Sequence, residues 1–240
     1  MQQYFVKELK DKQVVFSFDQ THHIKNVLRL KLDDEVRVVD NEAQLYVVKL
    51  TQLEPSVVGI VVRTIDSQEN RPWVRVFAVM TKKEKWELML QKAVEFGADE
   101  IVPLTSERCV VKIKASDLPK KIARWNKISL EACKQCHRSR VVEVKKPLGL
   151  AEVDQYTAVI NMLAYEQASI ENHIVDFLAS QKVASVNLII GPEGGFSYSE
   201  VSELLSKNYQ VVSLGWRILR AESAVMYCLN TIDNWLRIKQ

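Results

Sequence analysis

The sequence predicts an α/β protein that begins with a small β-rich barrel and continues as a parallel sheet covered by helices. Short alternating apolar and polar runs fill the first 65 positions, whereas uniformly apolar strands alternate with helices from Trp73 onward. Strands that are apolar throughout are typical of a parallel sheet buried on both faces. A pair of glycine-bearing loops near the C-terminus then predicts a ligand site at one edge of that sheet.

The N-terminal part contains four predicted strands and one helix. The strands are expected at Val14–Phe18, Glu35–Asp40, Gln44–Gln52 and Val57–Ile65. Thr21 is expected to cap the helix, and the i, i+3, i+4 spacing of Ile24, Val27 and Leu28 predicts its apolar face. The polar segment Asp66–Pro72 ends in proline and is expected to be a linker.

The linker divides the chain into predicted domains at residues 1–70 and 73–240. In the second domain, strands are expected at Val74–Met80, Ile101–Leu104, Ala158–Leu163 and Leu188–Ile190. Helices are expected at Glu84–Phe96, Leu118–His137, about Ile170–Ala179 and about Glu222–Ile238.

Two loops about twenty residues apart carry the functional signal. Gly191–Phe196 follows an apolar strand, and Ser213–Ala224 opens a helix, so both are expected to line one crevice. Glu193 would repel phosphate, so the first loop favours a ligand held by backbone groups and apolar surface, such as an adenosine with a positive centre. A tight strand-to-helix turn capped by Ser197 or Ser199 explains the same glycines equally well.

Charge is distributed unevenly along the chain. The net charge is +3, but twelve Lys or Arg face three Asp or Glu between Arg108 and Lys146. Between Gly149 and Ser206, one Lys faces eight acids. A basic stretch is usually the solvated face of a helix, yet the scarcity of compensating acids and the interleaved Trp125 and Gln135 favour contact with nucleic acid.

Other function classes are disfavoured. The N-terminus has no apolar signal segment, and no apolar run reaches the 18 or more residues of a membrane span, so a soluble cytoplasmic protein without membrane contact is expected. Four cysteines then indicate reduced thiols. Cys133 and Cys136 form a C-x-x-C, but they fall in a predicted helix with no second pair, so no metal is expected.

The loop motifs resemble those of the ribosomal RNA small-subunit methyltransferase E family (RsmE), which belongs to the SPOUT class. They read Gly191-Pro192-Glu193-Gly194-Gly195-Phe196 and Leu214-Gly215-x-Arg217-Ile218-Leu219-Arg220-x-Glu222. The resemblance extends over essentially the whole chain through His22-His23 with Val27-Leu28-Arg29, Ser106-Glu107-Arg108 and Cys133-Lys134-Gln135-Cys136-x-Arg138. Departures occur where His137 replaces a usual glycine, Trp216 a usual proline and Ser223 a usual threonine.

The resemblance implies a PUA-like β-barrel followed by a SPOUT α/β domain with a deep trefoil knot, assembled as a homodimer. It implies S-adenosyl-L-methionine as cofactor, S-adenosyl-L-homocysteine as product and N3 of one uridine in the decoding region of 16S rRNA as the methylated atom. The partner would be the small ribosomal subunit. The alternative is a non-catalytic RNA-binding factor of the ribosome whose cofactor crevice is degenerate.

The same resemblance places the cofactor among Leu163–Glu166, Gly191–Gly195 and Leu214–Leu219. The predicted cofactor-binding residues are Leu163, Ile190, Gly191, Pro192, Glu193, Gly194, Gly195, Leu214, Gly215, Ile218, Leu219 and Ala224. The residues expected to contact RNA are His23, Arg29, Lys31, Arg108, Lys134, Gln135, Arg138 and Arg140.

Arg220 is the predicted catalytic residue. N3 of uracil must lose its proton as it attacks the methyl group, and a preorganised guanidinium stabilises the negative charge that spreads onto O2 and O4. An ion pair of Arg220 with Glu222 or Glu193 is about as well supported by the sequence. Glu222 is either a general base or an acid in the first turn of a helix, and the structural role is favoured.

Overall fold

The computed structural model describes residues 1–67, 69 and 71–239. Their contacts group the chain into two compact units. The first comprises Met1–Asn70 with Cys133–Arg140, and the second comprises Arg71–Ala132 with Val141–Gln240. The predicted linker is described only in part, because positions 68 and 70 lie outside the described residues.

The first unit is built on a five-stranded sheet within the described residues. Its strands are β1 (Gln3–Phe5), β2 (Gln13–Val15), β3 (Glu35–Val39), β4 (Leu45–Gln52) and β5 (Val58–Ile65), in the spatial order β1-β3-β4-β5-β2. Strands β1 and β3 are parallel, whereas the other pairs are antiparallel. The predicted β-rich character is confirmed, but β1 was missed, because three residues are too few to show a period.

The helix of the first unit begins earlier than predicted. Helix α1 (Phe18–His22) is capped by Ser17, whose hydroxyl accepts a hydrogen bond from the Gln20 backbone while the Gln20 side chain accepts one from Ser17. This capping box leaves Thr21 inside the helix, so the predicted cap is wrong. A π-helical turn over His23–Val27 follows.

The predicted apolar face of this helix is also wrong in part. Ile24 is fully buried, but Val27 and Leu28 are exposed. The i, i+3, i+4 rule assumes 3.6 residues per turn, and the wider π-helical turn moves later residues off that face.

The second unit alternates strands and helices. The strands are β6 (Val74–Val79), β7 (Glu100–Thr105), β8 (Glu143–Val144), β9 (Leu148–Gly149), β10 (Ile160–Ala164), β11 (Val186–Ile190) and β12 (Gln210–Val212). The helices are α2 (Lys83–Glu95), α3 (Leu118–Gln135), α4 (Ile174–Ala179), α5 (Tyr198–Ser206) and α6 (Ala221–Ile238). Short 3₁₀ turns cover Leu150–Gln155 and Ile170–Asn172.

The strands of this unit form a parallel sheet in the order β12-β10-β11-β6-β7-β8, with β9 beside the end of β7. Strands β6, β7, β10 and β11 are almost entirely buried, which confirms the predicted parallel sheet. The prediction of one helix over residues 170–179 is wrong for its first part, because His173 has extended backbone angles and is the N-cap of α4.

Helix α3 ends at Gln135, two residues before the predicted end. His137 adopts a left-handed conformation with φ of 61°, and the Arg138 N–H donates to the Cys133 carbonyl at 3.0 Å. This is the pattern of a Schellman C-cap, which closes the helix. Cys133 therefore lies on the last turn of α3, as predicted, but Cys136 lies just past the end of the helix, so the prediction is wrong for the second cysteine of the C-x-x-C.

Three neighbouring strands end at the same edge of the sheet. Ala164 at the end of β10 pairs with Ile190 of β11 on one side and with Val212 of β12 on the other. Because the three strands are parallel and in register, the loops that follow them emerge together.

Candidate active site

The loops after β10, β11 and β12 converge on one cleft in the second unit. The cleft is lined by Ala164, Tyr165, Glu166, Ile190, Gly191, Pro192, Leu214, Gly215, Trp216, Arg217, Ile218, Leu219, Ala221 and Ala224. Its floor is the buried carboxyl end of the sheet, and Ala221 and Ala224 come from the first turn of α6. The sequence-based expectation that two motif loops share a crevice agrees with this geometry.

The glycine-rich turn after β11 is held in shape by its own backbone and by one arginine. The Gly195 N–H donates to the Pro192 carbonyl at 3.0 Å, and Gly195 has φ of 67°. An Arg108 guanidinium nitrogen donates to the Gly194 carbonyl at 2.8 Å. A Cβ at Gly195 would overlap the Glu166 carboxylate, so glycine permits a close approach of two loops here.

The same turn also leads into the cap of α5, so the tight strand-to-helix turn that the sequence offers as the alternative is present. The Ser197 hydroxyl accepts a hydrogen bond from the Glu200 N–H at 3.4 Å, and the Glu200 carboxylate accepts one from the Ser197 N–H at 2.8 Å. Glu200 accepts a further bond from the Glu107 N–H at 2.7 Å. The capping box therefore fixes where the glycine turn ends.

Glu193 faces Lys85 rather than a ligand phosphate. The Lys85 ammonium lies 3.0 Å from the Glu193 carboxylate. Partial burial opposes ionisation of Glu193, but the hydrogen bonds from Lys85 and from its own backbone bring the pKa of the carboxyl below its usual value. Glu193 is therefore ionised and paired with Lys85, and no cation of a phosphate-binding loop takes its place in the turn.

The loop after β12 is anchored at its base. The Ser213 N–H donates to the Asn172 carbonyl at 2.9 Å, and the Ile174 N–H donates to the Ser213 carbonyl at 3.0 Å. The Ser213 hydroxyl accepts a bond from the Gly215 N–H at 3.2 Å. Gly215 then turns with φ of 97°, a conformation that a side chain would strain.

Arg220 and Glu222 flank the start of α6 in different environments. Arg220 is the N-cap residue, is exposed, and lies between the cleft-lining Leu219 and Ala221. Within residues 1–67, 69 and 71–239 it has no ion pair, so neither expected pairing with Glu222 or Glu193 is present. Glu222 is buried in the first helical turn, where the helix dipole favours its carboxylate.

The structure brings most of the predicted cofactor-binding residues together. Ile190, Gly191, Pro192, Leu214, Gly215, Ile218, Leu219 and Ala224 line the cleft. Leu163 is instead fully buried in the core beneath it, and Glu193, Gly194 and Gly195 lie in the turn but not in the lining. Trp216 and Arg217 also line the cleft and fall within the predicted loop Leu214–Leu219, whereas Ala221, the first residue of α6, was not among the predicted residues.

The residues predicted to contact RNA differ in how freely they present their side chains. Four of them, Arg29, Lys31, Gln135 and Arg140, are exposed.

The other four are held more closely by the protein. The His23 ring is hydrogen-bonded to the Tyr4 hydroxyl at 2.9 Å, and Lys134 is half-buried. Arg138 is 7% exposed and paired with Glu69, an environment that favours a structural role. One guanidinium nitrogen of Arg108 is bound to the glycine turn.

The described part of the chain has neither a membrane-spanning helix nor a metal-binding cluster. None of its helices combines the length and apolar character needed to cross a bilayer. Within the same residues, no group of three or more His, Cys, Asp or Glu side chains is placed to hold a metal ion.

Comparison with known proteins defines the class. The family described as an RNA methyltransferase domain matches residues 68–233, and that described as an RNA methyltransferase PUA domain matches residues 19–58. The β-rich first unit and the parallel sheet with its cleft are therefore the two parts of an RNA methyltransferase.

Relatives define the family. Ribosomal RNA small subunit methyltransferase E of Buchnera aphidicola subsp. Schizaphis graminum is 30% identical over 227 residues, covering 92% of this chain and 89% of that protein. Its Bacillus subtilis counterpart is 30% identical over 247 residues, covering 97% and 96%. A Legionella pneumophila methyltransferase with bound SAM has a TM-score of 0.83 at 25% identity, covering 97% and 96%. The chain belongs to the ribosomal RNA small subunit methyltransferase E family, which confirms the resemblance inferred from its motifs.

Proposed function

We propose that this protein transfers a methyl group from S-adenosyl-L-methionine to N3 of one uridine in the decoding region of 16S rRNA, and releases S-adenosyl-L-homocysteine. The observation that supports this most directly is the cleft formed by the loops after three adjacent parallel strands, with Arg220 at its border. Membership of the family supports the reaction class and the ribosomal RNA substrate.

The cleft residues suit S-adenosylmethionine. Backbone groups of Gly191 and Gly215 are open to close approach, and Ile190, Leu214 and Leu219 supply apolar surface for an adenine ring. Glu166 adds a carboxylate to the lining, which complements a cationic ligand. When bound, the cofactor supplies an activated methyl group on a sulfonium, and the protein positions the acceptor.

Arg220 is proposed to act on the acceptor base. N3 releases its proton to solvent as it takes the methyl group, which places negative charge on O2 and O4 of the uracil during the transfer. The exposed guanidinium at the cleft border can donate hydrogen bonds to one of these oxygens. The backbone of Arg220 is fixed, because this residue is the N-cap of an 18-residue helix. Glu222 is assigned a structural role, because it is buried in the first turn of that helix.

A pair of variants tests the role of Arg220. Arg220→Ala is expected to lower kcat by about a hundredfold to a thousandfold, the usual loss when one donor to a developing oxyanion is removed. Its affinity for S-adenosylmethionine, measured by calorimetry, should stay within about twofold, because the side chain is not part of the cleft lining. Arg220→Lys keeps the charge but not the guanidinium fork, and is expected to recover part of the rate. Unchanged turnover in Arg220→Ala would remove this residue from the mechanism.

The methylated atom is tested in cells lacking the gene. A methyl group at N3 removes the Watson–Crick donor of uracil, so reverse transcriptase should stop at the modified position in wild-type 16S rRNA and read through it in the deletion strain. A retained stop would contradict the proposed reaction. Calorimetry on the wild-type protein separates this function from the alternative of a non-catalytic RNA-binding factor, which would not bind S-adenosylmethionine.

We propose residues 1–70 as a PUA-like RNA-binding domain and 73–240 as the SPOUT methyltransferase domain, with RNA phosphates contacting the exposed cations Arg29, Lys31 and Arg140. Family membership further supports a trefoil knot in the second domain, a homodimer and a place in the cytoplasm with the small ribosomal subunit.

A further inference from the structure

The side chain of Trp216 is unusually placed for a tryptophan. It lines the cofactor cleft yet is 88% exposed, whereas Trp86, Trp125 and Trp235 are buried and Trp73 is 37% exposed. An indole that faces water at the border of a binding cleft has most of its aromatic face available to a second ligand.

The backbone that carries this ring is anchored at its base. Its base is fixed by the hydrogen bonds of Ser213 to Asn172 and Ile174, and Gly215 turns the chain immediately before Trp216. Four residues later, Arg220 begins the rigid helix α6. An aromatic ring and the proposed catalytic guanidinium are therefore carried by one short segment that is anchored at both ends.

The charges of the segment favour a nucleic-acid ligand. Arg217 and Arg220 are both exposed, and neither has an ion pair within the part of the chain that the structure describes. Exposed aromatic rings interleaved with arginines are the usual means of binding single-stranded nucleic acid, because every base offers a face for stacking and every phosphate attracts a cation. The cofactor would lie deeper, against Gly191, Leu214 and Leu219.

We propose that Trp216 is the stacking platform for the target uracil once that base has left its RNA stack. The inference rests on the proposed function and adds a substrate-positioning residue to it. Stacking on Trp216 replaces the base–base contact that the uracil gives up, and holds its ring beside the guanidinium of Arg220. The bound cofactor needs no contact with the exposed face of the indole.

The test compares Trp216→Ala with Trp216→Phe on small ribosomal subunits from cells lacking the gene. For Trp216→Ala, kcat/KM for the subunits should fall about tenfold to a hundredfold. Affinity for S-adenosylmethionine should stay within about twofold, because an indole that is 88% exposed contributes little surface to the cleft that it borders. Trp216→Phe keeps an aromatic face and should recover most of that loss. Tyr198→Ala is the matched control, because Tyr198 is an aromatic residue 85% exposed outside the cleft, and its kcat/KM should be unchanged.

Several results would overturn the assignment. If kcat/KM for Trp216→Ala is unchanged, the ring does not position the base. If the loss accompanies weaker S-adenosylmethionine binding, Trp216 belongs to the cofactor site. If sedimentation shows that the variant has changed oligomeric state, the ring packs against a second copy of the chain. A wild-type protein that binds S-adenosylmethionine and methylates subunits keeps the proposed function intact in all three cases, whereas a wild-type protein that does neither overturns both proposals.

Discussion

His137 adopts a backbone conformation that glycine adopts most easily. It follows the last turn of α3 with φ of 61°, and the family-like motif around it usually has glycine there. The residue is exposed, but desolvation of its imidazole, together with the nearby charges of Arg37 and the N-terminal amine, lowers the pKa of the ring. Histidine in place of glycine at position 137 is therefore unfavourable in two ways: the backbone is strained, and protonation of the imidazole is disfavoured.

Replacing His137 with glycine is expected to stabilise the protein. Relief of the left-handed conformation should raise the free energy of unfolding by about 1 kcal/mol at pH 8. Because the folded state binds this proton less readily than the unfolded state, the wild type loses stability as pH falls through the ordinary histidine pKa of about 6.5. The gain from His137→Gly should therefore be larger at pH 5 than at pH 8, as measured by calorimetric Tm.

A matched control uses another histidine. His22 is exposed and lies within α1 in a helical conformation, so His22→Gly should destabilise the protein by roughly 0.5 kcal/mol. If the Tm of His137→Gly is below that of the wild type at both pH values, the imidazole makes a contact that stabilises the protein by more than the left-handed backbone destabilises it.

At the scale of elements, the parallel sheet separates a stabilising end from a binding end. Near the amino ends of the strands, Arg75 of β6 donates to Asn187 of β11 at 2.9 Å, is paired with Glu100 of β7, and lies 4.7 Å from the centroid of Tyr156. These partners explain how charged residues occur in a buried sheet. The carboxyl ends of the strands carry the loops of the cleft.

The start of α5 joins the glycine turn to the rest of this sheet. The Glu200 side chain is buried and accepts bonds from the backbone N–H groups of Ser197 and Glu107. Glu200→Ala would leave both donors without this partner, so we expect a loss of about 3 kcal/mol in unfolding free energy. Ser197→Ala removes only the cap and should cost about 1 kcal/mol.

The two variants should also differ in cofactor binding. Since the turn before Ser197 loses its fixed end in Glu200→Ala, the affinity for S-adenosylmethionine should fall more in this variant than in Ser197→Ala, as measured by calorimetry at 15 °C. Equal Tm values for the two variants and the wild type would show that the capping box contributes nothing to the stability of the second unit.

The sequence predicts what depends on neighbouring residues and misses what depends on distant ones. The apolar strands and the two motif loops were visible because period and turn chemistry are local. The bonds of Arg108 to Gly194 and of Lys85 to Glu193 were not, because they join residues that only the fold brings together. For the same reason Arg138 was grouped with the RNA-facing cations, although it is buried against Glu69.

At the scale of the whole molecule, the basic stretch between Arg108 and Lys146 is less uniform than its composition indicates. Arg124 is paired with Glu87, and Lys145 with Glu143 and Glu100. These cations are partly neutralised within the protein. RNA should therefore be bound by the cations of this stretch that are exposed and have no acidic partner. The slope of log affinity against log salt should reflect the number of those cations rather than all twelve.

A comparison of Arg138 with Arg140 tests whether only the exposed cations set the salt dependence of RNA binding. Arg140 is exposed, so Arg140→Gln should weaken binding to small ribosomal subunits and reduce the slope of log affinity against log salt by about one, with no change in Tm. Arg138→Gln removes the ion pair of the largely buried Glu69 but leaves its bonds from Ser139 and the Arg140 N–H, so it should lower the unfolding free energy by about 2 kcal/mol and leave the salt slope unchanged. Filter binding at several KCl concentrations, at a temperature where both variants are folded, measures the two slopes. If only Arg138→Gln changes the slope, the buried arginine moves to the surface when RNA binds, and exposure in the free protein does not identify the cations that contact RNA.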